Sequence, residues 1–149
     1  MTEPPPPLTI HLYSFGYKFS GPPQDSGGHG GGFVFDCRAL PNPFWDEAVR
    51  AYSGVEAPVT AWLDKEPEAQ DYLRHAAALV LYTAQTYRRL GRERLQVAFG
   101  CTGGRHRSPY LAARLQALLD AEGFFTRLTH LDIAREAERF APGRAAEGQ

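Results

Sequence analysis

Residues 95–108, LQVAFGCTGGRHRS, lie at the centre of this chain's chemistry. They pass from an apolar run typical of a buried strand into a glycine-rich turn, and then into a predicted helix. Ser108 is a candidate N-cap for that helix, and Pro109 suits its first turn. Open α/β sheets bind ligands where a strand turns into a helix in this way. Gly103 and Gly104 allow backbone amides to face an anion at this turn.

The side chains of this turn are suited to holding phosphate. Arg105 and Arg107 carry forked guanidinium groups that match phosphate oxygens. Thr102 and Ser108 add hydroxyl donors, and His106 adds a group that titrates near neutral pH. Together these residues predict a phosphate-binding loop. The structural alternative is a turn whose glycines serve packing and whose arginines face solvent.

The same segment contains Cys-x5-Arg followed by Ser, the spacing of the nucleophile loop in cysteine-dependent phosphatases. In that chemistry Cys101 would attack phosphorus, Arg107 would hold the oxygens, and Asp36 or Asp46 would serve as general acid. Gly100 stands where the commonest of these phosphatases have histidine. The alternative is a buried, inert cysteine that lines a binding loop. We favour that alternative, and therefore expect binding rather than catalysis.

Strands and helices alternate on both sides of this loop, which indicates a single three-layer α/β domain with a small, mainly parallel sheet flanked by helices. The helix that starts at Pro67 has an apolar face of Leu73, Ala77, Val80 and Leu81. The helix after the loop has an apolar face of Leu111, Leu115 and Leu118. The predicted strands span residues 8–13, 33–37, 95–99 and 124–131, and the predicted helices residues 45–52, 59–65, 67–90, 108–122 and 132–140.

Composition and charge narrow the function classes. The chain has 149 residues, with 16 Lys and Arg against 17 Asp and Glu, so it has no general electrostatic attraction to nucleic acid or membranes. Two cysteines, Cys37 and Cys101, are too few for a disulfide framework. They also lack zinc spacing with His29 and His106, so we expect no metal site. With no apolar run long enough to cross a bilayer, the sequence predicts a cytoplasmic protein.

The chain is predicted to divide into a disordered proline-rich leader (1–7), the α/β domain (8–140) and a disordered tail (141–149). A glycine-rich loop at residues 21–32 separates the first two strands. His29 in that loop could close over a ligand as a lid. A glycine loop without such a role is the alternative that we favour.

Four motifs in the same order and nearly the same spacing resemble the C-terminal domain of the RapZ family. They are SFGYK at 14–18, VFD at 34–36, LPNP at 40–43 and GCTGGRHRS at 100–108, and the similarity runs from about residue 10 to 135. In that family the full-length protein also has an N-terminal ATP-binding domain with a Walker A loop. Its C-terminal domain senses glucosamine-6-phosphate and binds small regulatory RNAs as an adaptor to an endoribonuclease.

The resemblance implies a bacterial-type regulator that binds a small phosphorylated metabolite such as glucosamine-6-phosphate, with an RNA-binding adaptor as the alternative. It also implies a homo-oligomer or a separate regulatory partner. Lys18 and Arg50 are the candidates for RNA or secondary contacts, whereas Phe19 stands at a position where a second cation is expected. No Gly-x4-Gly-Lys-Ser/Thr motif occurs, and we expect no cofactor. The implied pocket residues are Asp36, Arg38, Asn42, Cys101, Thr102, Gly104, His106 and Arg107.

Overall fold

The protein's four strands form one sheet in the order β2-β3-β1-β4, and every neighbouring pair is parallel. The structure is a computed structural model that describes residues 7–25 and 32–137. The predicted α/β class, one domain with a small parallel sheet flanked by helices, is confirmed. The strands are β1 (Thr9–Gly16), β2 (Phe33–Asp36), β3 (Arg94–Cys101) and β4 (Phe125–His130), and the helices are α1 (Ala57–Asp64), α2 (Pro67–Arg89) and α3 (Arg107–Ala121).

The core lies between the sheet and helices α2 and α3. Helix α3 packs against β1, β3 and β4, and α2 packs against α3 and β3. The alternation of side chains along a strand sends every second residue of β1 and β3 toward these helices. The strands contribute Ile10, Leu12, Leu95 and Val97 to the core, and the helices contribute Val80, Ala84, Leu111, Leu115 and Leu119.

Helix α2 has sequence signals at both ends. Pro67 occupies its first turn, where a missing N–H costs nothing, and Glu68 lies at the positive end of the helix dipole. At the other end Gly91 adopts a φ of 74°, and the amide of Arg92 donates to the Tyr87 carbonyl at 2.9 Å. This left-handed glycine cap closes the helix at the predicted place.

Because all four strands are parallel, their carboxyl ends lie at one edge of the sheet. β1 and β3 are neighbours, but β2 lies beyond β3 and β4 lies beyond β1. The connection from β1 passes β3 to reach β2, and the connection from β3 passes β1 to reach β4. Open α/β sheets bind ligands at the carboxyl ends of their strands.

Two predicted helices are not present as predicted. In the segment 45–52 only a short 3-10 helix, Pro43–Trp45, is formed, and turns follow it. Asn42 caps that turn by accepting a hydrogen bond from the Phe44 amide, so proline and Asx-turn chemistry prevails over helix propensity. Residues 131–136 form bends and turns rather than the start of a charged helix. Arg135 instead forms an ion pair with Asp132 of the same segment, and Glu136 forms one with Lys18 of the loop after β1.

Helix α3 differs from its prediction in two details. Its N-cap is His106, so Ser108 lies inside the first turn and does not cap the helix. The predicted apolar face is wrong at Leu118, which is 43% exposed, whereas Leu119 is fully buried. The buried face of α3 is centred near Ala112 and Leu115, so Leu119, one turn beyond Leu115, lies closer to its centre than Leu118 does.

Three sequence predictions fall outside the described residues. These are the disordered leader apart from Pro7, the tail at 141–149, and the lid role of His29. The segment 138–140 of the predicted last helix is also outside them. Over the described ranges, no helix is both long and apolar enough to cross a membrane.

Candidate functional site

Backbone hydrogen bonds bring the loops that follow all four strands to one edge of the sheet. The amides of Tyr17 and Lys18 donate to the carbonyls of Cys101 and Thr102, at 2.9 and 3.2 Å. In the same way Cys37 donates to Gly100 at 2.7 Å, and Leu131 to Ser14 at 2.9 Å. The loop at residues 101–106 is thereby joined directly to the loop after β1 and begins next to the loop after β2.

Close backbone approach explains two glycines of this region. Gly104 has a φ of 75°, and a Cβ built on it would lie 2.7 Å from the amide nitrogen of Gly16. A Cβ on Gly54 would lie 2.0 Å from the His106 carbonyl oxygen. Both positions therefore exclude any side chain, which keeps the loop pressed against its neighbours. The sequence prediction explained Gly104 by anion binding, and packing is a second reason for its presence.

Cys101 and Ser108 meet at the N-terminus of α3. The Cys101 Sγ lies 3.1 Å from the Ser108 Oγ and accepts a hydrogen bond from the Ser108 amide at 3.4 Å. The Ser108 hydroxyl also donates to the Phe15 carbonyl at 3.1 Å. Because a hydroxyl has one proton to give, its oxygen then accepts from the Cys101 thiol. Both side chains are buried, with Cys101 2% exposed.

Arg107 is the more deeply buried of the two arginines in the loop. Its Nη1 donates to the carbonyls of Arg38 and Leu40, at 2.8 and 3.1 Å. Its side chain is 4% exposed, and its buried Nε has no hydrogen-bond partner among the described residues. The loop after β2 thus fixes one side of the guanidinium group while a donor on it stays unsatisfied. A buried donor without a partner costs free energy, which an acceptor would recover.

Arg105 and His106 are turned toward backbone carbonyls of neighbouring segments. Arg105 donates from Nη1 to Ile133 at 2.9 Å and from Nη2 to Ala51 at 2.6 Å. His106 Nε2 lies 2.8 Å from the Arg50 carbonyl, so this nitrogen carries the ring proton. Burial lowers the pKa of His106 to about 4, helped by the positive charges of Arg105 and Arg107. At neutral pH the imidazole is therefore uncharged.

Asp36 and Arg38 form a more open wall of the site. Arg38 donates from Nε and Nη2 to the two carboxylate oxygens of Asp36, at 2.9 and 2.7 Å, and its guanidinium stacks 3.8 Å from the Tyr17 ring centroid. Hydrogen bonding from Arg38 lowers the pKa of Asp36. Both side chains are about half exposed. Asn42 is also predicted to line the pocket, and its side-chain oxygen accepts a hydrogen bond from the Phe44 amide.

Three further candidates are engaged by other groups. Lys18 is paired with the buried Glu136, and Arg50 lies 3.8 Å from Glu47. The Asp46 carboxylate, one of the two candidate general acids, accepts hydrogen bonds from Trp62 Nε1 and the Ala48 amide. These contacts give each residue a role in holding the fold. Their predicted roles in RNA binding or catalysis stay predictions.

Asp132 is an important residue of this edge that sequence reasoning missed. It is 1% exposed and accepts hydrogen bonds from the Gly16 amide at 2.8 Å and from the Ser20 hydroxyl at 2.6 Å. Its carboxylate therefore ties the loop after β4 to the loop after β1. The available signal was an acid just after the last predicted strand, since residues at strand carboxyl ends converge in parallel sheets. No group of residues able to hold a metal ion occurs within 7–25 and 32–137.

The fold and this edge define a parallel α/β domain whose buried cysteine and arginine lie in a glycine-rich loop at the N-terminus of a helix. The family model for the RapZ C-terminal domain matches residues 8–134, and the chain belongs to this family. The resemblance inferred from the four motifs is thereby confirmed.

Curated relatives support the same assignment. A nucleotide-binding protein of Frankia alni is 42% identical over 129 residues, which is 87% of this chain and 43% of that protein. One from Streptomyces griseus is 40% identical over 134 residues (90% and 39%), and one from Corynebacterium jeikeium is 38% identical over 128 residues (86% and 42%). The chain thus spans about two fifths of the length of the curated relatives that it matches.

Proposed function

We propose that this domain binds a small phosphorylated metabolite, of the amino-sugar-phosphate class, and acts as a regulatory sensor. The proposed site is the carboxyl-edge loop at residues 101–107. The observation that carries the proposal is the buried guanidinium of Arg107, whose Nε lacks a partner among the described residues. A buried charge with an unsatisfied donor, next to a helix N-terminus, has a strong preference for an anion.

The surroundings suit the rest of such a ligand. Arg107 is anchored through its other nitrogen to the carbonyls of Arg38 and Leu40, so a phosphate would meet a donor that is already oriented. Asp36 stays ionised at neutral pH, and its carboxylate is suited to an ammonium or hydroxyl group. The names of the curated relatives, which describe them as nucleotide-binding proteins, are compatible with phosphate recognition but refer to chains more than twice as long.

Calorimetric titration with glucosamine-6-phosphate, glucose-6-phosphate, glucosamine and inorganic phosphate tests the proposal. Arg107→Ala should weaken binding of the phosphorylated sugars roughly 10- to 100-fold, since it removes a charged, desolvated donor. Arg107→Lys keeps the positive charge but loses the forked donor group, so its affinity should lie between those of wild type and Arg107→Ala. Arg74→Ala is the matched control, because Arg74 is an exposed arginine on α2 whose side chain is 67% exposed. Equal affinities for wild type and both Arg107 variants would refute the site.

One observation favours a second candidate, a cysteine-dependent phosphatase. The Cys101 sulfur lies against the Ser108 hydroxyl and amide. This arrangement can stabilise a thiolate, first as the nucleophile and later as the leaving group. Against it, the Asp36 carboxylate is held in its ionised form by Arg38, and an ionised acid cannot protonate a leaving group.

Phosphate release from sugar phosphates and from an aryl phosphate separates the two candidates. A sensor releases none and retains most of its affinity in Cys101→Ser. A phosphatase turns over, and the same substitution abolishes turnover while ligand binding persists.

A further inference from the structure

The two cysteines of the chain occupy neighbouring positions in the sheet. The register of β2 and β3 pairs Phe35 with Phe99 and Asp36 with Gly100, so the next pair in register is Cys37 with Cys101. The Cys37 amide donates to the Gly100 carbonyl at 2.7 Å, which is the ladder bond expected for that pair. Residues far apart in sequence are therefore adjacent in space.

The spacing of this pair suits a covalent bond between the sulfurs. Neighbouring strands lie about 4.8 Å apart, and disulfides join α-carbons about 4.4–6.8 Å apart. Directly paired residues of neighbouring strands point to the same face of the sheet. Cys37 and Cys101 are 0% and 2% exposed, and both belong to one cluster of buried apolar residues. Burial raises the pKa of Cys37, and the nearby Cys101 raises it further.

We propose that Cys37 and Cys101 form a reversible intramolecular disulfide when the domain meets a peroxide, so that the ligand loop carries a redox-sensitive bond. The Cys101 sulfur is the attacking atom, because it lies at the loop and the N-terminus of α3, where the Ser108 amide donates to it. Cys37 is the resolving thiol, since burial raises its pKa and keeps it protonated and unreactive on its own.

The chemistry balances in two steps. The Cys101 sulfur attacks one oxygen of hydrogen peroxide, the O–O bond breaks, and Cys101 becomes a sulfenic acid with release of water. The Cys37 sulfur then attacks the oxidised sulfur, an S–S bond forms, the S–O bond breaks, and a second water leaves. The two thiols lose two protons and two electrons in total, and the peroxide gains them. A dithiol reductant returns both thiols by exchange.

The bond would alter the loop as well as the two cysteines. In the reduced protein the Cys101 sulfur interacts with the Ser108 hydroxyl and amide. To reach Cys37, the Cys101 sulfur must give up these contacts, which lie at the start of the helix that carries Arg107. Weaker binding of a phosphorylated ligand after oxidation is a corollary that rests on the proposed function, whereas formation of the disulfide does not.

Mass spectrometry of the folded protein tests the proposal directly. Treatment with hydrogen peroxide should lower the mass by two hydrogen atoms and reduce the thiols that react with Ellman's reagent in urea from two to none. Trypsin should then release residues 19–38 linked to residues 95–105, and dithiothreitol should restore both thiols. Reduced thiols after peroxide treatment, a dimer linked between chains, or a stable sulfinic acid on Cys101 would each overturn the proposal.

Single variants assign the roles of the two sulfurs. In Cys37→Ser, Cys101 has no resolving partner, so its sulfenic acid should be trapped by dimedone, which wild type should not take up. In Cys101→Ser, the remaining thiol of Cys37 should stay reduced. Oxidation of Cys37 in that variant at the wild-type rate would contradict attack by Cys101. The wild-type measurement stands even where a variant folds poorly.

The ligand titration of the reduced protein, together with the thiol assay after peroxide treatment, distinguishes this inference from the proposed function. If the disulfide forms and no phosphorylated sugar binds the reduced protein, the proposed function fails and the redox bond stands. If the reduced protein binds a phosphorylated sugar but no disulfide forms, the redox proposal fails and the proposed function stands.

Discussion

The loops after β3 and β2 both carry arginines to the same edge of the sheet, but they hold them differently. Arg105 and Arg107 are less than 10% exposed and donate to main-chain carbonyls of other segments. Arg38 is half exposed and pairs with Asp36, two residues away in the same loop. A buried guanidinium needs fixed partners because water cannot serve it, whereas an exposed ion pair can exchange partners at little cost. The loop after β3 therefore supplies fixed geometry, and the loop after β2 supplies groups that can turn to a ligand.

Gly104→Ala should have the largest effect on stability. The new Cβ would lie 2.7 Å from the Gly16 nitrogen at a φ of 75°, so both crowding and backbone strain disfavour it. We expect the free energy of unfolding to fall by about 3 kcal/mol or more. Gly123→Ala is the matched control, because Gly123 has a φ of 85° with nothing near its Cβ. In urea unfolding that variant should be destabilised only by the backbone strain, which is about 1 kcal/mol. Equal losses would show that crowding at Gly104 is unimportant.

Arg105→Ala should have the second largest effect on stability, because it leaves the carbonyls of Ala51 and Ile133 without their charged donor. The expected loss is about 2 to 3 kcal/mol in the same unfolding experiment. Arg74→Ala removes an exposed arginine and should change stability by less than about 0.5 kcal/mol. If Arg105→Ala is as mild as Arg74→Ala, the contrast between buried and exposed arginines does not hold.

His106 should make the fold less stable in mild acid. Its pKa of about 4 in the folded protein lies below the 6.5 of an ordinary histidine, so the unfolded chain binds more protons between these values. The stability present above pH 6.5 is then lost as the pH falls toward 4, by about 2 kcal/mol between pH 7 and 5.

Urea unfolding at pH 7 and pH 5 measures this loss. His106→Gln should remove this part of the pH dependence, and His75→Gln, at an exposed position on α2, should retain it. His11 and His130, whose pKa values are also lowered by burial, contribute to the slope that remains in His106→Gln. An unchanged slope in His106→Gln would contradict the neutral, buried imidazole.

The smallest effect on stability is expected for the exposed pair. Asp36→Asn should leave the midpoint of thermal unfolding within about 1 °C of wild type, because solvent screens the pair. The same variant should still weaken binding of glucosamine-6-phosphate more than that of glucose-6-phosphate, since the carboxylate is suited to an ammonium group. A large drop in the midpoint of thermal unfolding would show that Asp36 is needed for the fold, as the buried arginines of the loop after β3 are expected to be.

The residues of the site were easier to predict than their contacts. The sequence singled out Cys101, Arg105, His106 and Arg107 because a glycine turn between a strand and a helix is a local signal. It treated both arginines as phosphate ligands, and that assignment stays a prediction. In the structure both guanidinium groups donate to backbone carbonyls of distant segments. Local spacing cannot tell two neighbouring arginines apart, because their partners lie more than 20 residues away along the chain.

The same dependence on distant partners explains the errors in the fold predicted from the sequence. Helix α2 and its Gly91 cap follow from residues within one or two turns, and both were predicted correctly. Ser108 has the residue type of an N-cap, but its hydroxyl is engaged by Phe15 and Cys101 from distant strands. Asp132 gave only a weak signal, since its partners are the loops at Gly16 and Ser20.

The sequence by itself determined the alternation of strands and helices, the glycine-rich loop and the family, because these depend on periodicity, turn chemistry and the order of motifs along the chain. Only the tertiary structure decided which backbone carbonyls the two arginines reach, which acid joins the loops, and that the two cysteines are neighbours. The physical reason is the parallel sheet. It aligns residues by register across strands, so its contacts depend on which strands pair and not on distance along the chain.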